Sequence, residues 1–209
     1  MDHAGQIAAA GTSAHEVLDA KHAAREAALV ASRLAIRSCA SAIRAVHRRE
    51  DREARELIAV AAAYLAELEN AVEGHPDIRA MGYVHDAKKE FAEANLTFAF
   101  VAGHAVPNLS ELNVDVQDLL NGMAEAASEL RRQVLDRLRA DDVDEAERLL
   151  SVMDDVYAVL ITIDYPDAIT GGLRRTTDAL RAVLERTRGD VTNALVAARL
   201  RAAIERQHL

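Results

Sequence analysis

The chain has 209 residues, of which 50% are apolar and only 3% are aromatic, with nine glycines, three prolines and one cysteine. That length fits one domain with a sizeable core, and the few aromatic residues and turn formers argue against a β-sandwich, a barrel or a Rossmann sheet. The single Cys39 excludes an intrachain disulfide and a cysteine-rich zinc site, and is expected to be a small buried hydrophobe. Because the net charge is −9, binding to nucleic acid would need a local basic face.

Glycines and prolines divide the chain into seven predicted helices. Residues 1–12 are small and polar and are expected to form a flexible N-terminal tail. The first helix is expected from about Ser13 to Arg49, and the second ends near Gly74, where a glycine and a proline give a stop-and-restart signal. The other five helices are predicted over residues 76–102, 114–139, 142–163, from Pro166 to Gly189, and 190–206.

These elements predict an all-α protein in which residues 13–209 form a single helical domain, because no segment alternates with period two. No apolar run reaches the roughly 18 residues needed to span a bilayer. The first residues include an acid and lack the apolar core of a secretory signal. We therefore expect a cytoplasmic protein without a membrane partner.

Arginines form a stripe on the predicted first helix, which contains no acid between Ser32 and Arg49. At about 100° per residue, four arginines of this segment fall within about 60° of one another on the helix surface, and His47 lies beside them. The stripe consists of Arg33, Arg37, Arg44 and Arg48. Guanidinium groups bind phosphate bidentately, so the pattern indicates an anion-binding face. A solvated face that pairs with acids on neighbouring helices is the alternative.

Two predicted helices each carry a pair of glutamates about one turn apart. Glu90 and Glu93 are spaced i, i+3, and Glu125 and Glu129 are spaced i, i+4. Four carboxylates from two helices can form an oxygen-only site that suits Mg²⁺ or Mn²⁺. Solvated glutamates at the same spacing are common on helices, so both interpretations stay open. Gly122 lowers helix stability and predicts a close approach of backbone or ligand.

Four segments, in their order and spacing, resemble the translin family, nearest to prokaryotic proteins like translin-associated factor X. The first runs from Ser32 to Arg48 and ends in His-Arg. The others are Glu90-Phe-Ala-Glu93-Ala, the stretch Leu119-Leu-Asn-Gly122-Met-Ala-Glu125-Ala-Ala-Ser-Glu129-Leu, and the stretch that begins Asp164-Tyr-Pro-Asp and continues to Asp178. The resemblance covers most of the chain, from about Arg33 to Arg188.

This resemblance implies a seven-helix bundle that assembles into a hollow octamer around single-stranded RNA or DNA. Glu90 and Glu93 match two acids of the metal-dependent catalytic subunit, and Glu129 matches a third. Glu125 stands where that subunit has aspartate, which lengthens the reach of the ligand by one methylene. The resemblance also suggests nucleic-acid contacts for the arginine stripe, for His47 and for His85. From the residues alone, His85 is expected at the surface.

The sequence therefore leads to one main hypothesis and two alternatives. The main hypothesis is a Mg²⁺- or Mn²⁺-dependent endoribonuclease that acts on single-stranded RNA inside a homo-oligomer. The first alternative is an assembly that binds single-stranded RNA or DNA without cleaving it. The second is a helical scaffold that binds neither nucleic acid nor metal.

Overall fold

The computed structural model of the protein describes residues 2–207, and within that range the elements of secondary structure are helices, without β-strands. Nine helices are present among these residues: α1 (His3–His47), α2 (Asp51–Val72), α3 (Pro76–Arg79), α4 (Gly82–Ala102), α5 (Leu109–Leu112), α6 (Val116–Arg139), α7 (Val143–Leu160), α8 (Asp167–Thr170) and α9 (Leu173–Gln207). The predicted all-α class is confirmed. Met1, His208 and Leu209, at the outer ends of the predicted tail and domain, lie outside the described residues.

The prediction of seven helices is wrong, because short helices were missed and two predicted helices are continuous. The segment 76–102 divides into α3 and α4 around Ala80. Helix α5 is a single turn, begun by a capping box in which Asn108 and Glu111 each accept a backbone hydrogen bond. Single-turn helices have almost no apolar periodicity, so they leave little signal in a sequence.

The C-terminal region differs most from the prediction. Pro166 precedes the short helix α8, which ends at Gly171 with φ 61°, and Gly172 follows with φ 84°. Helix α9 then runs without a break through Gly189. An interior glycine costs a helix about 1 kcal/mol relative to alanine, which packing along the rest of a long helix can offset.

Helix α1 begins at His3 and so includes most of the segment 1–12 that was predicted as a tail. Its N-terminus is capped by Asp2, whose carboxylate accepts a hydrogen bond from the Gly5 backbone N–H at 3.1 Å. All described residues up to Ala20 are exposed, and the buried face of α1 begins at Ala28. Alanine-rich sequence favours this long N-terminal extension because alanine has the highest helix propensity.

Small residues line the buried face of α1 at a helical spacing: Ala28, Ala31, Ala35, Cys39 and Ala42. Cys39 is fully buried, as expected from the sequence. Helix α1 packs on α2 and α4, and α6 packs on α4, α7 and α9. The order α1–α4–α6 places the predicted arginine stripe and both glutamate pairs on neighbouring helices. No helix in the described range is long and apolar enough to cross a membrane.

Candidate metal centre

Helices α4 and α6 approach each other closely at Gly122. A Cβ atom at this position would lie 2.7 Å from the backbone oxygen of Lys89 and 2.9 Å from the Cβ of Ala92. Both distances are too short for an unstrained contact, so only glycine fits the present arrangement. The close approach predicted for Gly122 is therefore an approach of backbone, and it brings the glutamates of the two helices together.

The four predicted glutamates line one open cleft of about 560 Å³. One carboxylate oxygen from each of Glu90, Glu93 and Glu125 lies within 4.8 Å of the other two. Glu129 lies in the same cleft, one turn along α6 from Glu125. We call these four residues the acidic cluster.

Glu93 is the most buried member of the acidic cluster, with 8% of its surface exposed. No residue in the described range donates a hydrogen bond to its carboxylate or forms an ion pair with it. Burial, followed by the charges of the other three glutamates, raises the pKa of Glu93 to about 8. Burial also raises the pKa of Glu90. A buried carboxylate in such surroundings needs a proton or a cation.

Glu129 differs from its neighbours because His47 holds it in the ionised form. The His47 Nε2 lies 2.8 Å from Glu129 Oε2, and the Gln133 amide nitrogen lies 3.0 Å from His47 Nδ1. The hydrogen bond from His47 is the main reason that the pKa of Glu129 is lowered. The His47 side chain is only 3% exposed, so it orients Glu129 from a nearly buried position in the wall of the cleft. Gln133, one turn beyond Glu129 on α6, was not identified from the sequence.

Two further cations line the cleft, and neither was identified from the sequence. The Lys89 ammonium lies 2.9 Å from Glu125 Oε2 and 3.9 Å from Glu90 Oε1. Arg132 is exposed at the rim. The pairing of Lys89 with Glu125 depends on how α4 and α6 dock, so a local sequence pattern gives no sign of it.

All four arginines of the stripe are exposed along α1, over a length of about 22 Å. Arg44 lines the cleft that holds the acidic cluster. Arg33 and Arg37 have no ion-pair partner among residues 2–207. Arg48 is engaged by the carboxylates of Glu50 and Glu53. The stripe is therefore a basic surface that leads to the cleft, with its last arginine partly neutralised.

His85 lies outside the acidic cluster, in a smaller second cleft. Its Nδ1 lies 3.0 Å from Asp118 Oδ2 and 3.8 Å from Asp115 Oδ2, and its side chain is 28% exposed. The Lys88 ammonium lies 2.9 Å from Asp115 and 2.8 Å from Glu69. In this second group, the carboxylate of Asp115 is paired with the Lys88 ammonium. The carboxylate of Glu93 has no such partner in the described range.

The chemistry of the acidic cluster fits a divalent cation. Its donors are all carboxylate oxygens, which Mg²⁺ and Mn²⁺ prefer over the nitrogen and sulfur ligands of zinc sites. A cation near Glu93 would also compensate the one buried carboxylate that has no partner among the described residues. Glu90, Glu93 and Glu125 are the residues that can hold such an ion together.

The raised pKa of Glu93 predicts how stability depends on pH in the metal-free protein. Between pH 4.5, its ordinary pKa, and about 8, the folded state holds a proton that the unfolded chain has lost. Unfolding free energy should therefore fall as the pH rises through this window, because the unfolded state binds fewer protons. Glu93→Gln should remove this slope and stabilise the protein at pH 8 by about 4 kcal/mol.

Urea denaturation in EDTA from pH 5 to pH 9 measures this effect. Glu67→Gln, at an exposed position on α2, is the matched control and should keep the wild-type slope. Equal pH dependence in the Glu93 variant and the wild type would show that Glu93 ionises normally.

No family model matches the chain. An uncharacterized protein, MJ0175 of Methanocaldococcus jannaschii, is 30% identical over 188 residues, which is 89% of this chain and 83% of that protein. Among solved structures, apo-NeC3PO has a TM-score of 0.78 at 16% identity, over 88% of this chain and 96% of its own. At that identity the likeness shows the fold alone.

Two structures of AfC3PO are similar in both fold and sequence. The crystal structure of AfC3PO has a TM-score of 0.83 and 31% identity, and the match covers 89% of this chain and 97% of AfC3PO. A complex of AfC3PO with duplex RNA has a TM-score of 0.82 and 30% identity, over 89% of this chain and 96% of that one. The identity and the nearly complete coverage place this chain in the translin family, with the C3PO proteins.

Proposed function

We propose that the protein is a divalent-metal-dependent endoribonuclease that acts on single-stranded RNA. The observation that carries this proposal is the buried carboxylate of Glu93, which lies among three other carboxylates and has no partner in the described range. RNA as the ligand is supported by AfC3PO, whose structure has been determined with duplex RNA. The basic stripe beside the cleft supplies the complementary charge.

Seven residues of the cleft have roles in this proposal. Glu90, Glu93 and Glu125 would hold the cation. When bound, a divalent cation supplies positive charge next to the phosphate and lowers the pKa of a water molecule. Glu129 is ionised and oriented by His47 through Oε2, so its Oε1 can accept the proton of the attacking water. Arg44 and Arg132 can bind the phosphates on either side of the bond that is cleaved.

We further propose that the protein is nearest to translin-associated factor X within the family, and that it acts as a cytoplasmic homo-octamer whose inner surface carries the arginine stripe. An acidic exterior and a basic interior are compatible with the net charge of −9, because RNA responds to the local potential. His85, which lies in the second cleft, is a further RNA contact in this proposal.

A non-catalytic RNA-binding assembly is the second candidate. The ion pair between Lys89 and Glu125 favours it, because it gives the acidic cluster an internal cation without any metal. In that case the glutamates would have a structural role. The arginine stripe would keep its function unchanged.

A cleavage assay separates these candidates. End-labelled RNA of about 25 nucleotides, single-stranded or duplex, is incubated with the protein in Mg²⁺, Mn²⁺ or EDTA, and a native gel follows binding in parallel. Cleavage of the single strand in both metals and none in EDTA is the expected result. A band shift without cleavage would favour the non-catalytic assembly, and no shift at low salt would favour a scaffold without RNA.

The arginine stripe can be tested through the salt dependence of RNA binding. Replacing Arg37 and Arg44 with glutamine should weaken binding and lower the slope of log K against log salt by roughly 0.7 per lost phosphate contact on a single strand. Arg139→Gln, an exposed arginine in the last turn of α6, should leave the slope unchanged. A double variant with the wild-type slope would exclude the stripe from RNA binding.

A further inference from the structure

Lys89 forms part of the wall between the two clefts. On one side it lines the cleft of the acidic cluster, and on the other it lines the smaller cleft with Asp86 and Asp118. Its side chain is 24% exposed. Lysine at this position is therefore held between two groups of carboxylates, not extended into solvent.

The Lys89 ammonium contacts both oxygens of the Glu125 carboxylate. Its Nζ lies 3.0 Å from Oε1 and 2.9 Å from Oε2. The same carboxylate supplies one of the three oxygens that lie within 4.8 Å of one another. A divalent cation at the cluster would need an oxygen that now accepts from Lys89, so the ammonium and the metal compete for Glu125.

The second cleft provides space and charge for a displaced ammonium. It has a volume of about 280 Å³ and includes the exposed carboxylate of Asp86 beside Lys89. Its other aspartate, Asp118, already pairs with His85, and Arg175 lies in the same cleft. A lysine side chain has four rotatable carbon bonds and can change partner without backbone movement. The ammonium can thus leave Glu125 and remain close to negative charge.

We propose that Lys89 is the resident counter-ion of the acidic cluster and that a divalent cation binds by displacing its ammonium from Glu125. This inference rests on the proposed metal-binding function of the cluster. Lys89 thereby lowers the affinity for metal and stabilises the metal-free protein. It keeps the cluster intact when no cation is bound.

Metal binding by Lys89 variants of the full chain tests the proposal without any cleavage assay. Isothermal titration with Mn²⁺ should show binding to Lys89→Met that is roughly three- to ten-fold tighter than to the wild type. Lys89→Arg, which keeps the charge, should not bind more tightly. Lys21→Met removes an equivalent charge from the surface of α1 and should leave the affinity unchanged.

Thermal melting in EDTA gives a second readout. Lys89→Met should lower the melting temperature by about 2–4 °C, because the carboxylates lose their counter-ion, and saturating Mn²⁺ should remove this difference. Lys89→Gln can still donate a hydrogen bond to Glu125 without a charge, and replaces the methionine variant if that does not fold.

The outcomes distinguish this inference from the proposed function. If the wild type binds Mn²⁺ and the uncharged Lys89 variants bind it equally or more weakly, Lys89 is not a competing cation and the inference is overturned alone. If neither the wild type nor any variant binds Mn²⁺, the metal site itself is wrong, and this inference is overturned with it.

Discussion

Glu93→Gln should lower RNA cleavage by at least about 100-fold, the upper end of the loss typical for a residue that only supports a metal ligand. The substitution keeps the shape of the side chain but removes the most buried carboxylate of the acidic cluster. Because the pKa of Glu93 is about 8 without metal, the carboxyl is already largely protonated at pH 7 in EDTA. RNA affinity in EDTA should therefore stay the same or rise slightly.

The measurement is single-turnover cleavage in Mg²⁺ together with filter binding in EDTA, for wild type, Glu93→Gln and the exposed control Glu67→Gln. Loss of cleavage with preserved binding is specific to a group that acts on the reaction. Loss of RNA binding by a folded Glu93 variant would contradict the proposed role, as would cleavage at the wild-type rate.

Gly122→Ala should destabilise the protein by about 2–3 kcal/mol and disrupt the acidic cluster. The new Cβ would lie 2.7 Å from a backbone oxygen of α4, which cannot move away as the end of a side chain can. Overpacking of this kind typically costs about 1–3 kcal/mol, and here it would force α4 and α6 apart. Separation of the helices would also move Glu125 away from Glu90 and Glu93 and weaken Mn²⁺ binding.

Gly189→Ala is the matched control because it makes the same substitution inside a helix. Apart from its chain neighbours and the adjacent backbone of α9, no atom of the described residues lies within 4 Å of a Cβ placed at Gly189. Alanine should therefore stabilise α9 by about 0.5–1 kcal/mol through helix propensity alone. Urea denaturation of both variants measures the contrast. A Gly122 variant as stable as the wild type would show that the two helices have room to adjust.

The sequence was sufficient to predict the residues of the acidic cluster but not their physical state. Spacing along two helices, together with the translin resemblance, identified all four glutamates of the cleft. The difference between Glu93 and Glu129 was not predictable, because one is buried without a partner and the other is held ionised by His47 from α1. That difference arises from contacts between residues far apart in the chain.

The places predicted for His47 and Gly189 differ from those in the structure, because both depend on how the helices pack. His47 lies on the α1 turn between Arg44 and Arg48, and helical spacing could not show that its side chain turns inward to Glu129 and Gln133. Gly189 was expected to end a helix, but a glycine ends a helix only where the backbone leaves the helical region. Gly171 and Gly103 do so with positive φ values, whereas the chain at Gly189 stays helical.

The acidic cluster can form only after both α4 and α6 have been synthesised, because each helix supplies two of its glutamates. Glu90 and Glu93 are synthesised, and leave the ribosome, before Glu125 and Glu129 do. Until α6 is complete and has docked on α4 through Gly122, the first pair of carboxylates is in water and ionises in the ordinary way. A nascent chain therefore lacks the assembled cluster until α6 has been completed and has docked on α4.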